Sequence, residues 1–115
     1  MREPLVAVAS RSFSGDKVLR DELLSAFPNC RFNEDGGRLH GEALVGFLSD
    51  AAGAIVGVER IDGPLLERLP SLKVISKYGV GLDSLDVDEL TKRGVVLAWT
   101  PGTNAHAVAE LTLLH

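Results

Sequence analysis

Short apolar runs and helix-patterned stretches alternate along the whole chain, and this alternation restricts the fold more than any single residue does. Leu5-Val6-Ala7-Val8-Ala9 is a continuous apolar run, as expected of a strand covered on both faces. Ser10 to Gly15 reads as a polar loop. Val18, Leu19, Leu23, Leu24 and Phe27 then recur at helical spacing until Pro28 ends the pattern. Cys30-Arg31-Phe32 fits a short edge strand running into the turn residues Asn33 to Gly37. His40 to Asp50 is a second amphipathic helix through Leu44, Val45, Phe47 and Leu48. Ala54 to Val58 is a buried strand, and Ile61, Leu65, Leu66 and Leu69 mark a short helix closed by Pro70. Leu72 to Ser76 is a strand, Val87 to Arg93 a helix stopped by Gly94, and Val95 to Ala98 another strand. A last helix is expected from about Asn104.

Strict alternation of this kind predicts an α/β domain, a parallel sheet with helices on both faces. Five strands fit a flavodoxin-like doubly wound sheet with strand order 2-1-3-4-5. The 115 residues suit one domain, and no repeat or low-complexity segment divides them. A net charge of −4 argues against a nucleic-acid partner, which calls for a basic patch. No apolar run approaches the ~18 residues of a membrane helix, and the N-terminus has no signal-peptide pattern, so the expected location is cytoplasmic. The single cysteine, Cys30, rules out an internal disulfide and makes a thiolate metal cluster implausible.

Loops at the carboxyl ends of parallel strands are where such sheets bind ligands. Two stand out here: Lys77 to Asp86 (KYGVGLDSLD) and Thr100 to Asn104 (TPGTN), each rich in Gly, Pro and small polar residues. Gly79-Val80-Gly81-Leu82-Asp83-Ser84 nearly matches the dinucleotide motif G-x-G-x-x-G. Its third glycine is Ser84, however, and Ala98-Trp99-Thr100 stand where a ribose-binding acid belongs. The glycines have two simpler uses, a tight strand-to-helix turn or the close approach of the Val80 and Gly81 amides to a ligand oxygen. Lys77 at the loop mouth offers a positive charge to a carboxylate or phosphate. Asp86 is placed to cap the helix from Val87, and Asn104 can both cap the last helix and donate to a ligand. His40, His106 and His115 form no triad with an acid and a serine, so no catalytic acid, base or nucleophile is assigned in this chain.

From Leu72 to Leu114 the chain resembles the D-isomer-specific 2-hydroxyacid dehydrogenases, the group that includes D-3-phosphoglycerate and glyoxylate/hydroxypyruvate dehydrogenases. LKVISKYGVGLDSLD, TKRGVVLAWTPG and NAHAVAELTL carry the resemblance, in the family's order. It implies that residues 1–115 are the substrate-binding domain, followed in the family by a Rossmann NAD domain with the active site between them. The Val80 and Gly81 amides would hold the substrate carboxylate, with Tyr78 and Gly79 in the same loop. Val80 would also face the nicotinamide, and Lys77 and Asn104 would contact the substrate anion.

The family's catalytic Arg, Glu and His lie in the NAD domain or at its edge. The resemblance therefore implies an NAD- or NADP-dependent parent enzyme acting on a small 2-oxo or 2-hydroxy acid, a homodimer through the NAD domain, and an inactive 115-residue chain that binds no cofactor alone. Ala107, Val108, Leu111, Leu113 and Leu114 form an apolar helix without a terminal cap, expected to continue beyond His115 or to associate with another copy. A free-standing flavodoxin-like binding or regulatory domain without redox activity is the alternative. Its ligand loop would follow the first strand, where Ser10 to Gly15 (SRSFSG) is a poor imitation of a phosphate-binding loop and offers none of the acidic residues a phosphoacceptor domain needs.

Overall fold

The computed structural model describes residues 4–34, 39–57, 59–77 and 84–98. Five strands, β1 (Val6–Val8), β2 (Cys30–Phe32), β3 (Gly53–Val56), β4 (Val74–Lys77) and β5 (Val96–Ala98), form one sheet in the order β2-β1-β3-β4-β5. Every adjacent pair is parallel, and the fold expected from the alternation is the one observed. The register sets Val8 opposite Ile55 and Val56 opposite Lys77, so the carboxyl ends of β1, β3 and β4 lie along one edge.

Successive side chains of a strand face opposite ways, and the core divides accordingly. Val6, Val8, Ile55 and Val74 pack with Phe13 of α1 (Arg11–Ser14), Leu23 of α2 (Lys17–Ala26) and Phe27, the residue that caps α2. Ala7, Ala54, Val56 and Ile75 pack on the other face with Leu44 and Leu48 of α3 (Gly41–Leu48), Leu65 and Leu66 of α4 (Gly63–Leu66), and Leu90 of α5 (Val87–Lys92). Small alanines on the second face let the helices approach closely.

Four helices start on a side chain that accepts a backbone N–H. Ser10 accepts from Phe13, Asp16 from Leu19, Asp62 from Leu65 and Asp86 from Glu89. The cap expected at Asp86 is therefore present. Helix α5 ends as its Gly94 foretold: this residue has φ +73°, the Gly94 N–H donates to Thr91 O, and the Val95 N–H donates to Leu90 O. The two bonds together make a Schellman motif.

The boundaries differ from expectation in two places that matter. Ser10 to Gly15 is not a loop, because Ser10 nucleates α1 and drives Phe13 into the core. Strand β4 extends one residue further than expected, so Lys77 ends the strand instead of opening the loop. Helix α2 also buries less of its apolar pattern than its sequence suggests. Val18 is 73% exposed, and Leu23 carries the packing.

Candidate functional site

Lys77 pairs with Val56 at the carboxyl edge of the sheet and is only 8% exposed. Its backbone is held by β3 and the preceding strand residues are apolar or small, so the ammonium group is carried in a low-dielectric wall. It makes no direct ion pair or hydrogen bond among the described residues. Burial pushes its pKa below the usual lysine value, and the negative charge of Glu59 pulls it part of the way back. The other expected site residues, Tyr78, Gly79, Val80, Gly81 and Asn104, lie outside the described residues, as does the helix from Ala105 to His115.

What the structure does describe is how the glycine loop is held at both ends. It leaves the sheet at Lys77 and re-enters the described chain at Ser84. There the Ile61 N–H donates to Ser84 O at 2.8 Å and the Asp86 N–H donates to Ile61 O at 2.9 Å, an isolated parallel bridge between Ile61 and Leu85. The β3–α4 segment thus pins the exit of the loop, while β3 itself pins the entry. Sequence patterns gave no hint of this bridge, since Ile61 reads equally well as the first apolar residue of a helix.

Glu59, in the same segment, was not singled out by sequence. It is 2% exposed, and its Oε1 accepts the Gly57 N–H at 2.7 Å. The available signal was a charged residue directly after an apolar strand, at the edge where ligands bind. Arg60, its neighbour, is exposed and lies 3.7 Å from Asp62.

Two open clefts of about 400 and 390 Å³ adjoin this segment. The first runs between Arg60 and Asp62 on one side and Ser84, Asp86 and Asp88 on the other. Its three carboxylates make it a poor receptacle for an anion, and Asp62 and Asp86 are engaged as helix caps. The second lies between α3 and α4, where the Glu42 carboxylate pairs with Arg68. His40 opens onto it from the N-cap position of α3 but makes no capping bond.

The carboxyl end of β1 is closed by its own polar network. The Ser10 hydroxyl accepts the Phe13 N–H, and the Ser14 hydroxyl donates to Val8 O and accepts the Asn33 N–H. Asn33 Nδ2 donates to Ala9 O at 3.1 Å. Among the described residues no group of three or more His, Cys, Asp or Glu side chains is placed to hold a metal ion. No helix among them is long and apolar enough to cross a membrane.

The model of the D-isomer specific 2-hydroxyacid dehydrogenase catalytic domain matches residues 16–113. A glyoxylate reductase of Thermofilum pendens is 47% identical over 55 residues, which is 48% of this chain and 16% of that protein. A D-3-phosphoglycerate dehydrogenase of Mycobacterium leprae is 43% identical over 53 residues, 46% of this chain and 10% of its own length. The match thus spans 16% or less of these relatives. The crystal structure of the NAD+-bound 3-phosphoglycerate dehydrogenase of Entamoeba histolytica superposes with a TM-score of 0.75, covering 97% of this chain and 37% of that one. At 22% identity, that likeness is one of fold.

Proposed function

This chain belongs to the D-isomer specific 2-hydroxyacid dehydrogenase family, and we propose that residues 1–115 are the substrate-binding domain of an NAD(P)-dependent oxidoreductase acting on the CH–OH group of a small D-2-hydroxy acid, or on the 2-oxo acid in reverse. The observation that carries this reading is Lys77. A buried ammonium group at the ligand edge of a parallel sheet, with no contact ion pair of its own, is a site prepared for an anion. The substrate carboxylate is the anion that all acids of this class share. Lys77 supplies the charge, the Val80 and Gly81 amides supply directed donors, and Asn104 supplies a further one. Held at its carboxylate, the acid presents its C2 oxygen and hydrogen in a fixed orientation, which is the contribution positioning makes to the reaction.

The described residues do not fit a dinucleotide. In a nucleotide-binding domain the end of the first strand opens into a phosphate-binding turn. Here it is filled by Ser10, Ser14 and Asn33, with the two hydroxyls committed to Phe13, Val8 and Asn33. The cofactor and its hydride chemistry belong, in this reading, to a companion nucleotide-binding domain. In the same reading Val80 would face that cofactor, and dimerisation would run through the companion domain. The 115 residues alone are expected to transfer no hydride and bind no cofactor. A cytoplasmic location belongs to the same reading. The alternative, a free-standing binding domain using the SRSFSG segment, draws no support from a segment whose Ser10 and Ser14 hydroxyls are engaged within the fold.

The test is Lys77→Met in the enzyme that joins this chain to its nucleotide-binding domain. Losing a charge-assisted contact worth roughly 1.5–3 kcal/mol lowers kcat/KM roughly 10- to 150-fold. The loss should fall mainly on the KM for glyoxylate or hydroxypyruvate, with NADH binding unchanged. Unaltered kinetics would remove Lys77 from the site.

A further inference from the structure

Glu59 is an expensive residue to place where it is. Its side chain is almost wholly withdrawn from water, and a buried carboxylate is tolerated only where charge or hydrogen bonds compensate it. Neither the strand nor the helix beside it requires an acid at this position, since β3 has ended and Asp62 already caps α4. What holds Glu59 is the backbone two residues earlier, through the 2.7 Å bond from the Gly57 N–H to Oε1. Gly57 directly follows Val56, the residue paired with Lys77, so the tether lies beside the end of β4.

Lys77 at the end of β4 and Glu59, three residues past the end of β3, are therefore two buried opposite charges, yet they form no contact ion pair. The tether holds one carboxylate oxygen, Oε1, at the Gly57 N–H and so restricts the movement of the side chain. The negative charge of Glu59 raises the Lys77 pKa against the lowering by burial. Strands β3 and β5, which flank β4, contribute no titratable side chain. Two residues beyond Glu59, Ile61 bridges to the exit of the glycine loop. The 59–61 segment therefore meets the chain where it re-enters after the loop, at Ser84 to Asp86.

We propose that Glu59 is a positioning residue for the carboxylate site, a tethered counter-charge that keeps the Lys77 ammonium charged at the end of β4 without occupying it. A contact pair would satisfy Lys77 and force the substrate to compete for it, whereas a counter-charge held at longer range leaves the donors of Lys77 available. This inference rests on the reading of Lys77 as the carboxylate contact.

Glu59→Gln is the informative substitution, because the amide keeps the shape and the oxygen that accepts the Gly57 N–H but removes the charge. In the reductively ¹³C-methylated chain, with Lys77 assigned by Lys77→Arg, the Lys77 titration midpoint should fall, because the negative charge that raises it is gone. In the enzyme joined to its nucleotide-binding domain, the rise of glyoxylate KM with increasing pH should move down by the same amount, with kcat unchanged at low pH. At pH values where Lys77 is charged in both proteins, KM should be no higher in the variant. In a Lys77→Met background, Glu59→Gln should have no further effect on KM.

An unmoved Lys77 midpoint overturns the proposal, and it does so even where Lys77→Met raises KM, which leaves the carboxylate reading standing. Unchanged KM in Lys77→Met overturns that reading and the proposal with it. Glu59→Asp asks the same question from the other side. It keeps the charge, so the midpoint should fall less than in Glu59→Gln, and an equal fall in both variants would refute a through-space role.

Discussion

Asn33 offers the most direct test of how the carboxyl end of β1 is built. The residue is 6% exposed, and its Nδ2 donates at 3.1 Å to the carbonyl of Ala9, which is fully buried. Asn33→Ala removes that donor and leaves a carbonyl facing protein instead of water, a penalty of about 1–3 kcal/mol. The backbone N–H of Asn33 still reaches Val8 O and Ser14 Oγ at 3.0 and 3.2 Å, so the loss is confined to the side chain. A cost of about 2 kcal/mol follows, against a total stability of roughly 6–17 kcal/mol for a chain of this length. In urea that corresponds to a midpoint lower by about 1 M, at an m-value of about 1–3 kcal/mol/M.

Ser14→Ala provides the internal control. Its hydroxyl also serves a buried carbonyl, that of Val8, but Val8 O keeps the Asn33 N–H when the hydroxyl is gone. The cost should therefore be nearer 1 kcal/mol. Asn33→Asp should be worse than Asn33→Ala at neutral pH, because an ionised carboxylate cannot donate to Ala9 O and is itself buried. The difference should narrow as acid protonates it. If Asn33→Ala lies within about 0.5 kcal/mol of wild type, or Ser14→Ala costs as much, the network is not what closes β1.

Two further outcomes follow from titratable groups. Burial lowers the pKa of Lys77 below 10.5, so between its native value and 10.5 the unfolded chain holds a proton that the folded chain has released, and stability contributed by this group rises with pH. Lys77→Met lacks this titration, so its stability relative to wild type should fall as urea midpoints are compared from pH 8 to pH 10; a rise would refute burial as the cause. Cys30 donates its thiol to Phe27 O at 2.8 Å, and burial raises its pKa from 9.0 to about 11. The native thiol should therefore alkylate about a hundredfold more slowly than the unfolded one near pH 8, and equal rates would show that the thiol is not held.

The fold was legible because its determinants are local and periodic. Apolar runs of the right length, Asp86 as a cap and Gly94 as a stop each act through residues no more than five apart, and the parallel order follows once strands and helices alternate. The end of β1 was misread because SRSFSG has the composition of a turn. Only the tertiary partners Val8 and Asn33 commit its Ser14 hydroxyl, and only a core pocket for Phe13 makes a helical turn worth forming there. The carboxylate site was half legible for a related reason. Lys77 shows as a cation beside a glycine loop, but sequence spacing cannot tell a solvated lysine from a buried one. That difference depended on one extra residue of β4 pairing with Val56. Glu59 was invisible because it stands 18 residues from Lys77 in sequence, and an acid after a strand reads as a surface residue until the sheet register is known. What makes it informative is its tether to Gly57: a glutamate in contact with Lys77 would occupy the ammonium, whereas one held at Gly57 supplies its charge without a contact pair.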